Sequence, residues 1–284
     1  MMARLDSLQQ RCLPQHTLSR WVGKLMNCEI PFVKNTLIHR FIRHYGVDLS
    51  EAVEKDFRQY KHFNDFFTRP LAPEARPIPQ DPSLIICPND GFVSQLGTIE
   101  EGRLFQAKGR HFHLEELLGG DKATARLFEE GTFATLYLSP KDYHRVHMPI
   151  TGTLQKTTYI PGRLFAVKPS TVNTVPHLFA RNERVVCLFE TALGPMAVIL
   201  VGALIVASIH TVWGGQLAPN ETSNIICEDT THVTLQKGEE LGHFQLGSTT
   251  IVLFPKNTMS FAPSLHPGSS IRLGESLGQR ILSA

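Results

Sequence analysis

Leu246-Gly247-Ser248-Thr249 joins a mostly polar approach, residues 236–245, to the β-branched run Thr249–Phe254. A serine that follows glycine at a tight turn can act on its own backbone. The Ser248 hydroxyl attacks the Gly247 carbonyl, and the acyl group passes from nitrogen to oxygen. Elimination across Cα–Cβ of the resulting ester cuts the chain and leaves a pyruvoyl group where Ser248 stood. Such a carbonyl forms Schiff bases and accepts electrons, which no ordinary side chain does. The same four residues also suit a plain hairpin turn, so the chemistry needs partners elsewhere in the chain.

Two further stretches offer them. Ser139–Gly152 carries Tyr143, His144, Arg145 and His147 directly after an apolar run. One histidine can serve as a general base, and two can divide two tasks. His-x-x-His spacing also suits a metal, but no third ligand follows at useful spacing, so no metal is expected. Cys87-Pro88-Asn89-Asp90-Gly91 lies between two strand-like runs. Asp-Gly there reads as a turn, or Asp90 orients a histidine as the acid of a Ser-His-Asp triad does. The chain order Asp90, His147, Ser248 permits a triad, and spacing alone does not decide.

The elements that must position these groups fall into two textures. Leu18, Trp21, Val22 and Leu25 recur at helical spacing, and so do Leu37 or Ile38, Phe41, Ile42 and Tyr45. Gly46 reads as a helix stop, and Ser50 as the N-cap of a further helix over 51–60. The stripes suit a protein core; Trp21 and the Arg/Lys flanks also suit a helix lying on lipid. From Pro70 to Pro82 five prolines mark an extended linker. Beyond it, short strands are predicted at 83–87, 91–96, 132–138, 152–159, 184–190, 196–209, 231–236 and 249–254, with a short helix at 113–118. The expected class is α+β: amphipathic helices in a docking region, residues 1–69, then a mainly antiparallel barrel- or sandwich-like catalytic domain, residues 70–284.

In order along the chain, these segments resemble the phosphatidylserine decarboxylases. The resemblance is carried by Phe63-Asn64-Asp65-Phe66-Phe67-Thr68-Arg69 with Arg76-Pro77, by Pro88-Asn89-Asp90-Gly91, and by Tyr143-His144-Arg145-Val146-His147 with Pro149 and Gly152. Pro161-Gly162-Arg163-Leu164-Phe165, Leu178 to Arg184, Val201-Gly202-Ala203, and Lys237 to Gly242 with Leu246 to Thr249 complete it. The resemblance implies a proenzyme that cuts itself between Gly247 and Ser248, with Asp90, His147 and Ser248 as the processing triad. It implies a β chain 1–247 and an α chain 248–284 headed by the pyruvoyl group, held as a heterodimer, with further dimerisation left open. It implies that phosphatidylserine in an anionic membrane binds the pyruvoyl group as a Schiff base and leaves as phosphatidylethanolamine and CO2. His144 resembles the family residue that assists decarboxylation or protonation.

Composition limits the rivals. Five cysteines, an odd number with no Cys-x-x-Cys pair, argue against a disulfide framework and for a reducing compartment. The longest apolar run, Ala197–Ile209, is short of the roughly 20 residues of a spanning helix and reads as buried strand. Residues 1–50 hold seven Lys/Arg against three acids, an excess of +4 on a chain of net +2. That basic end points to an anionic partner surface, here a peripheral position on the cytoplasmic face of the cell membrane. No Lys-centred motif suggests pyridoxal phosphate, and basic residues do not interleave with stacking aromatics as nucleic-acid binding requires. A serine hydrolase using the same triad lacks the Gly-x-Ser-x-Gly elbow. A β-rich lipid carrier that never cleaves is the non-enzymatic rival.

Overall fold

A computed structural model describes residues 15–203, 209–217, 225–229, 232–245 and 248–281. Helices α1 (Gln15–Met26), α2 (Pro31–Tyr45) and α3 (Phe63–Phe67) come first. Proline at the first turn of α2 sacrifices a donor that would be orphaned anyway. Gly46 ends the helix in the left-handed region, φ 67°, with its N–H on Ile42 O at 2.8 Å. The two apolar stripes have different fates. Ile38 of α2 is buried against Tyr60, Phe63, Phe66 and Phe67, with Phe41 packed on them, its ring 5.1 Å from that of Phe63. On α1, by contrast, Trp21 is 69% exposed, and Phe32 at the start of α2 is 82% exposed.

The helix expected over 51–60 does not form. Asp48 takes both the Ser50 N–H and the Ser50 hydroxyl, so Ser50 cannot cap a helix. Asp56 binds the backbone and guanidinium of Arg58, and Tyr60 binds Glu54 O. These local bonds compete with the helical ladder.

The remainder is strand-rich: β1 (Leu84–Ile86), β2 (Gly91–Thr98), β3 (Arg103–Ala107), β4 (Arg110–His113), β5 (Thr132–Leu138), β6 (Arg145–His147), β7 (Gly152–Ile160), β8 (Arg184–Thr191) and β9 (Gly194–Val201). Then follow β10 (Ile209–Thr211), β11 (Gly215–Leu217), β12 (Ile226–Asp229), β13 (Thr234–Leu235), β14 (Glu240–Phe244), β15 (Ser248–Phe254), β16 (Met259–Phe261), β17 (Ser270–Ile271) and β18 (Ser276–Arg280). Nine of them form one antiparallel sheet in the order β12-β7-β8-β9-β15-β5-β2-β17, with β13 also on β7. Every residue of β15 is buried, as a central strand covered on both faces requires. The run Ala197–Ile209 is not one strand: β9 ends at Val201, and Ile209 starts a strand of a different sheet.

The expected α+β class and antiparallel core are found, in layers rather than as a closed barrel. Edge strands β12 and β17 pair with β7 and β2 and do not meet. One face of the large sheet, with Leu136, Leu138, Leu200 and Val252, packs on Val146, Ile209, Leu241 and Phe244 of a second sheet, β11-β10-β14-β6. The other face, with Phe133, Ile199 and Ile251, is covered by Leu104 and Phe112 of the β3–β4 hairpin and by Leu117 and Phe179 of short helices. Stacked layers bury both faces without closure.

Candidate active site

One end of the large sheet gathers the residues with chemistry. The register pairs Ser248 with Leu138, and Thr249 with Val201, so Ser248 lies between the end of β5 and Gly202, just past β9. On the far side of β5, Phe92 pairs with Tyr137 and places Gly91 beside Leu138. A Cβ at Gly91 would stand 2.0 Å from Tyr137 O, and its φ is 143°. Only glycine allows this approach, so the Asp-Gly pair fixes where Asp90 enters the site. Residues alternate across a strand, so Ser248 shares the face of Thr250 and Val252, toward the β14–β6 sheet.

Ser248 is fully buried, and among the described residues its hydroxyl has no hydrogen-bond partner. Burying a bare hydroxyl is costly, and such a group in a folded protein calls for an explanation. Leu246 and Gly247, the other half of the expected turn and of the expected cleavage site, lie outside the described residues.

His144 is also fully buried. Its Nε2 lies 3.0 Å from Ser139 O, and a carbonyl only accepts, so Nε2 carries the proton. Nδ1 is then a bare lone pair, buried and without a partner among the described residues. The ring stacks on Phe67 of α3, centroids 4.0 Å apart. Burial, and then the charge of Arg69, push its pKa down to about 3, so the ring is neutral. Ser139 directly follows Leu138, the cross-strand partner of Ser248, so two orphaned groups occupy the same end of β5.

His147 is held differently. Its Nδ1 lies 2.8 Å from Gly238 O and therefore donates, which leaves Nε2 to accept from the Tyr143 hydroxyl at 3.0 Å. Burial lowers its pKa, so it too is a neutral base with a defined tautomer. Asp90 receives Arg76 Nε at 3.0 Å and the Leu273 N–H at 2.9 Å on Oδ1, and Arg76 Nη2 at 2.5 Å on Oδ2. Arg76 also binds Glu51 at 2.9 Å.

The structure thus brings Asp90, His144, His147 and Ser248 to one end of the sheet core, without a hydrogen-bonded chain through the three triad candidates. The carbonyl of Gly238, not Asp90, orients His147. Asp90 reaches His147 through its charge, which favours the protonated ring. Three partners carried no chemical signal in the sequence. Arg76 sits in a proline-punctuated segment that looks like linker, Phe67 looks like ordinary core, and Gly238 acts through its backbone. Tyr143 was visible beside the histidines but not as the His147 partner.

A family profile described as phosphatidylserine decarboxylase matches residues 63–279, and a second, described as PSD, matches residues 5–46. The chain belongs to the phosphatidylserine decarboxylase family. It is 54% identical over 282 residues to the phosphatidylserine decarboxylase proenzyme of Ectopseudomonas mendocina, covering 98% of this chain and 99% of that one. It is 54% identical to the proenzyme of Pseudomonas putida over 98% of both chains. Identity to the proenzyme of Azotobacter vinelandii is 52%, over 98% of this chain and 99% of that one. Phosphatidylserine decarboxylase proenzymes use a pyruvoyl group derived from a serine. The chain fits that group: Ser248 begins a fully buried central strand, and its hydroxyl is bonded to none of the described residues.

Proposed function

We propose that Ser248 is the serine this decarboxylase converts, with His147 as its base and Asp90 as the fixed negative charge behind that base. The observation that carries the reading is the buried, unpartnered Ser248 hydroxyl at the sheet end that also holds two neutral histidines. His147 Nε2 takes the hydroxyl proton once Tyr143 yields its place. Ser248 Oγ bonds the Gly247 carbonyl carbon, the Gly247–Ser248 C–N bond breaks, and the freed nitrogen takes the proton. The ester then loses the Ser248 α-proton to a base, and the Gly247 carboxylate departs with the Cβ–O bonding pair. Water replaces the α-nitrogen, which leaves as ammonia. Asp90 opposes the cost of an imidazolium, and Arg76 holds Asp90 in place.

The enzyme is a carboxy-lyase made as a proenzyme, and it converts phosphatidylserine to phosphatidylethanolamine and CO2. The pyruvoyl group supplies an electrophilic carbonyl that takes up the substrate amine and the electron pair released with CO2. His144 assists at the carbon that loses its carboxylate as a proton relay: its Nδ1 lone pair takes up a proton and passes it on, while the one proton of the resting neutral ring stays on Nε2, held by Ser139 O. Its stack on Phe67 and its bond to Ser139 O fix the ring while Nδ1 faces no protein partner.

Residues 248–281 supply β15 to β18, and each of β15, β17 and β18 is paired with strands of residues 1–247. Cutting before β15 therefore leaves the α and β chains joined through the sheet.

Residues 1–69 are the docking region. None of the described helices is long and apolar enough to cross a membrane. Trp21, Leu25, Ile30 and Phe32 are exposed, and Arg40 and Arg43 are exposed on α2. Apolar side chains enter the lipid interface while the arginines meet anionic headgroups on the cytoplasmic face.

A denaturing gel and the mass of the small fragment test the processing step. Wild type yields two chains, the smaller blocked by a pyruvoyl group, and Ser248→Ala yields one. A small chain beginning with an intact serine amine would overturn the assignment.

A further inference from the structure

The motif that ends in Arg69 leaves a buried cation without a counterion. Arg69 follows α3 and is 3% exposed. Its guanidinium lies over the Phe66 ring at 5.5 Å, and Nη2 donates to the carbonyl of Lys141 at 3.1 Å. Its Nε is buried and has no partner among the described residues. Among the described residues Arg69 makes no ion pair, although acids are near. Asp90 is taken by Arg76 and Leu273, Glu51 by Arg76 and Arg272, Asp142 by Ser139, and Asp48 by Ser50. A guanidinium offers five donors, and burying one half-satisfied is expensive unless an anion arrives.

The place it occupies suggests which anion. Arg69 lines a cavity of about 260 Å³ together with Gly46, Asp48, Asp90, Lys141 and Tyr143. Gly46 is the end of α2, so the cavity lies where the helical layer meets the reactive sheet end. Tyr143 holds His147, and Phe67, two residues before Arg69, holds His144.

We propose that Arg69 anchors the phosphodiester of the lipid headgroup, and so selects a phosphatidyl-linked serine over free serine. This rests on the decarboxylase reading. In that substrate one oxygen and one methylene separate phosphorus from the carbon that loses CO2, so a phosphate anchor belongs beside the catalytic histidines. The substrate carboxylate is the poorer match. A cation bonded to it would stabilise the ground state and oppose loss of CO2, whereas the phosphodiester keeps its charge throughout.

Calorimetric titration of uncut Ser248→Ala protein separates binding from turnover. The probes are glycerophosphoserine, glycerophosphoethanolamine, L-serine and inorganic phosphate. Both glycerophosphodiesters should bind and L-serine should not. Arg69→Gln in the same background should weaken the diesters by about tenfold or more, with Arg69→Lys between, because lysine keeps the charge but loses the fork. Self-cleavage of the single Arg69 variants, read on gels, reports whether they fold. Cut Arg69→Lys enzyme should show a raised KM for phosphatidylserine vesicles in excess of any fall in kcat. Equal diester affinity with and without Arg69 overturns the proposal, as does absence of diester binding to Ser248→Ala. Binding of L-serine but not glycerophosphoethanolamine would mark a carboxylate site. Inorganic phosphate binding as tightly as the diesters would mark a free-phosphate site, and either result overturns the lipid assignment. Failure of the decarboxylase reading looks different: wild type would stay uncut and form no product, whatever the diesters do.

Discussion

Glu183 should make the folded protein lose stability as pH rises through neutrality. It is 3% exposed, directly before β8, and among the described residues only one of its carboxyl oxygens is engaged, by the Tyr159 hydroxyl. Burial raises its pKa from 4.5 to about 7, partly countered by the bond from Tyr159. The folded pKa lies above the unfolded one, so the fold favours the protonated acid. Below about pH 4.5 both states are protonated and the group costs nothing. Between 4.5 and 7 the unfolded chain ionises first, and folding loses about 1.4 kcal/mol for each pH unit. Above 7 both states are ionised and the loss levels off near 3 kcal/mol, an order-of-magnitude value. Glu183→Gln removes the titration and keeps the shape. In the uncut Ser248→Ala background, Tm should be measured from pH 4 to 9 with and without Glu183→Gln. The difference between the two chains should shift in favour of glutamine by about 3 kcal/mol from pH 4.5 to 8, or roughly 5–10 °C for a chain of this size. Parallel Tm curves across that range would refute the reasoning, whichever chain melts higher.

His144→Ala should still cut into two chains but form product about 10²–10⁴-fold more slowly per cut enzyme; an uncut chain would move His144 to processing or folding. His147→Ala should slow or abolish cutting itself, read as the fraction cleaved over time. Arg76→Gln strips Asp90 of its buried bidentate partner and should cost about 3–5 kcal/mol in chemical denaturation; a loss below about 1 kcal/mol would mean that Asp90 finds another partner or water. Phe32→Ser and Arg40→Glu should each weaken co-sedimentation with anionic vesicles, and only the effect of Arg40→Glu should vanish at high salt. Equal binding of wild type to neutral vesicles would refute the electrostatic part.

Much of the candidate site was legible because its chemistry is local. Gly247-Ser248, the two histidines at i and i+3, and Asp90-Gly91 announce themselves by residue type. The strand at 132–138 was legible to the residue, since a central strand is a bounded apolar run. The α2 stop at Gly46 was legible because only glycine enters the left-handed region without strain. Where a local signal had a local competitor, sequence reading failed: Ser50 looked like a helix cap, but Asp48 captured its hydroxyl. Where a signal was purely compositional, it could not place an end, so one apolar run hid a break at Gly202.

What the sequence by itself determined is therefore the family, and with it a set of candidate reactive groups. Tertiary structure decided which stripe packs and which stays exposed, because Ile38 is buried against the α3 phenylalanines while Trp21 stays 69% exposed. It also decided each group's partner: Arg76 for Asp90, Gly238 O for His147, Phe67 for His144, and none among the described residues for the Ser248 hydroxyl or the Nε of Arg69. The Gly238 carbonyl that orients His147 is 91 residues from it in the chain, and the Leu273 N–H that binds Asp90 is 183 residues away. Residue type states what a side chain can donate or accept, but only the fold brings one donor within 3 Å of one acceptor and seals both from water.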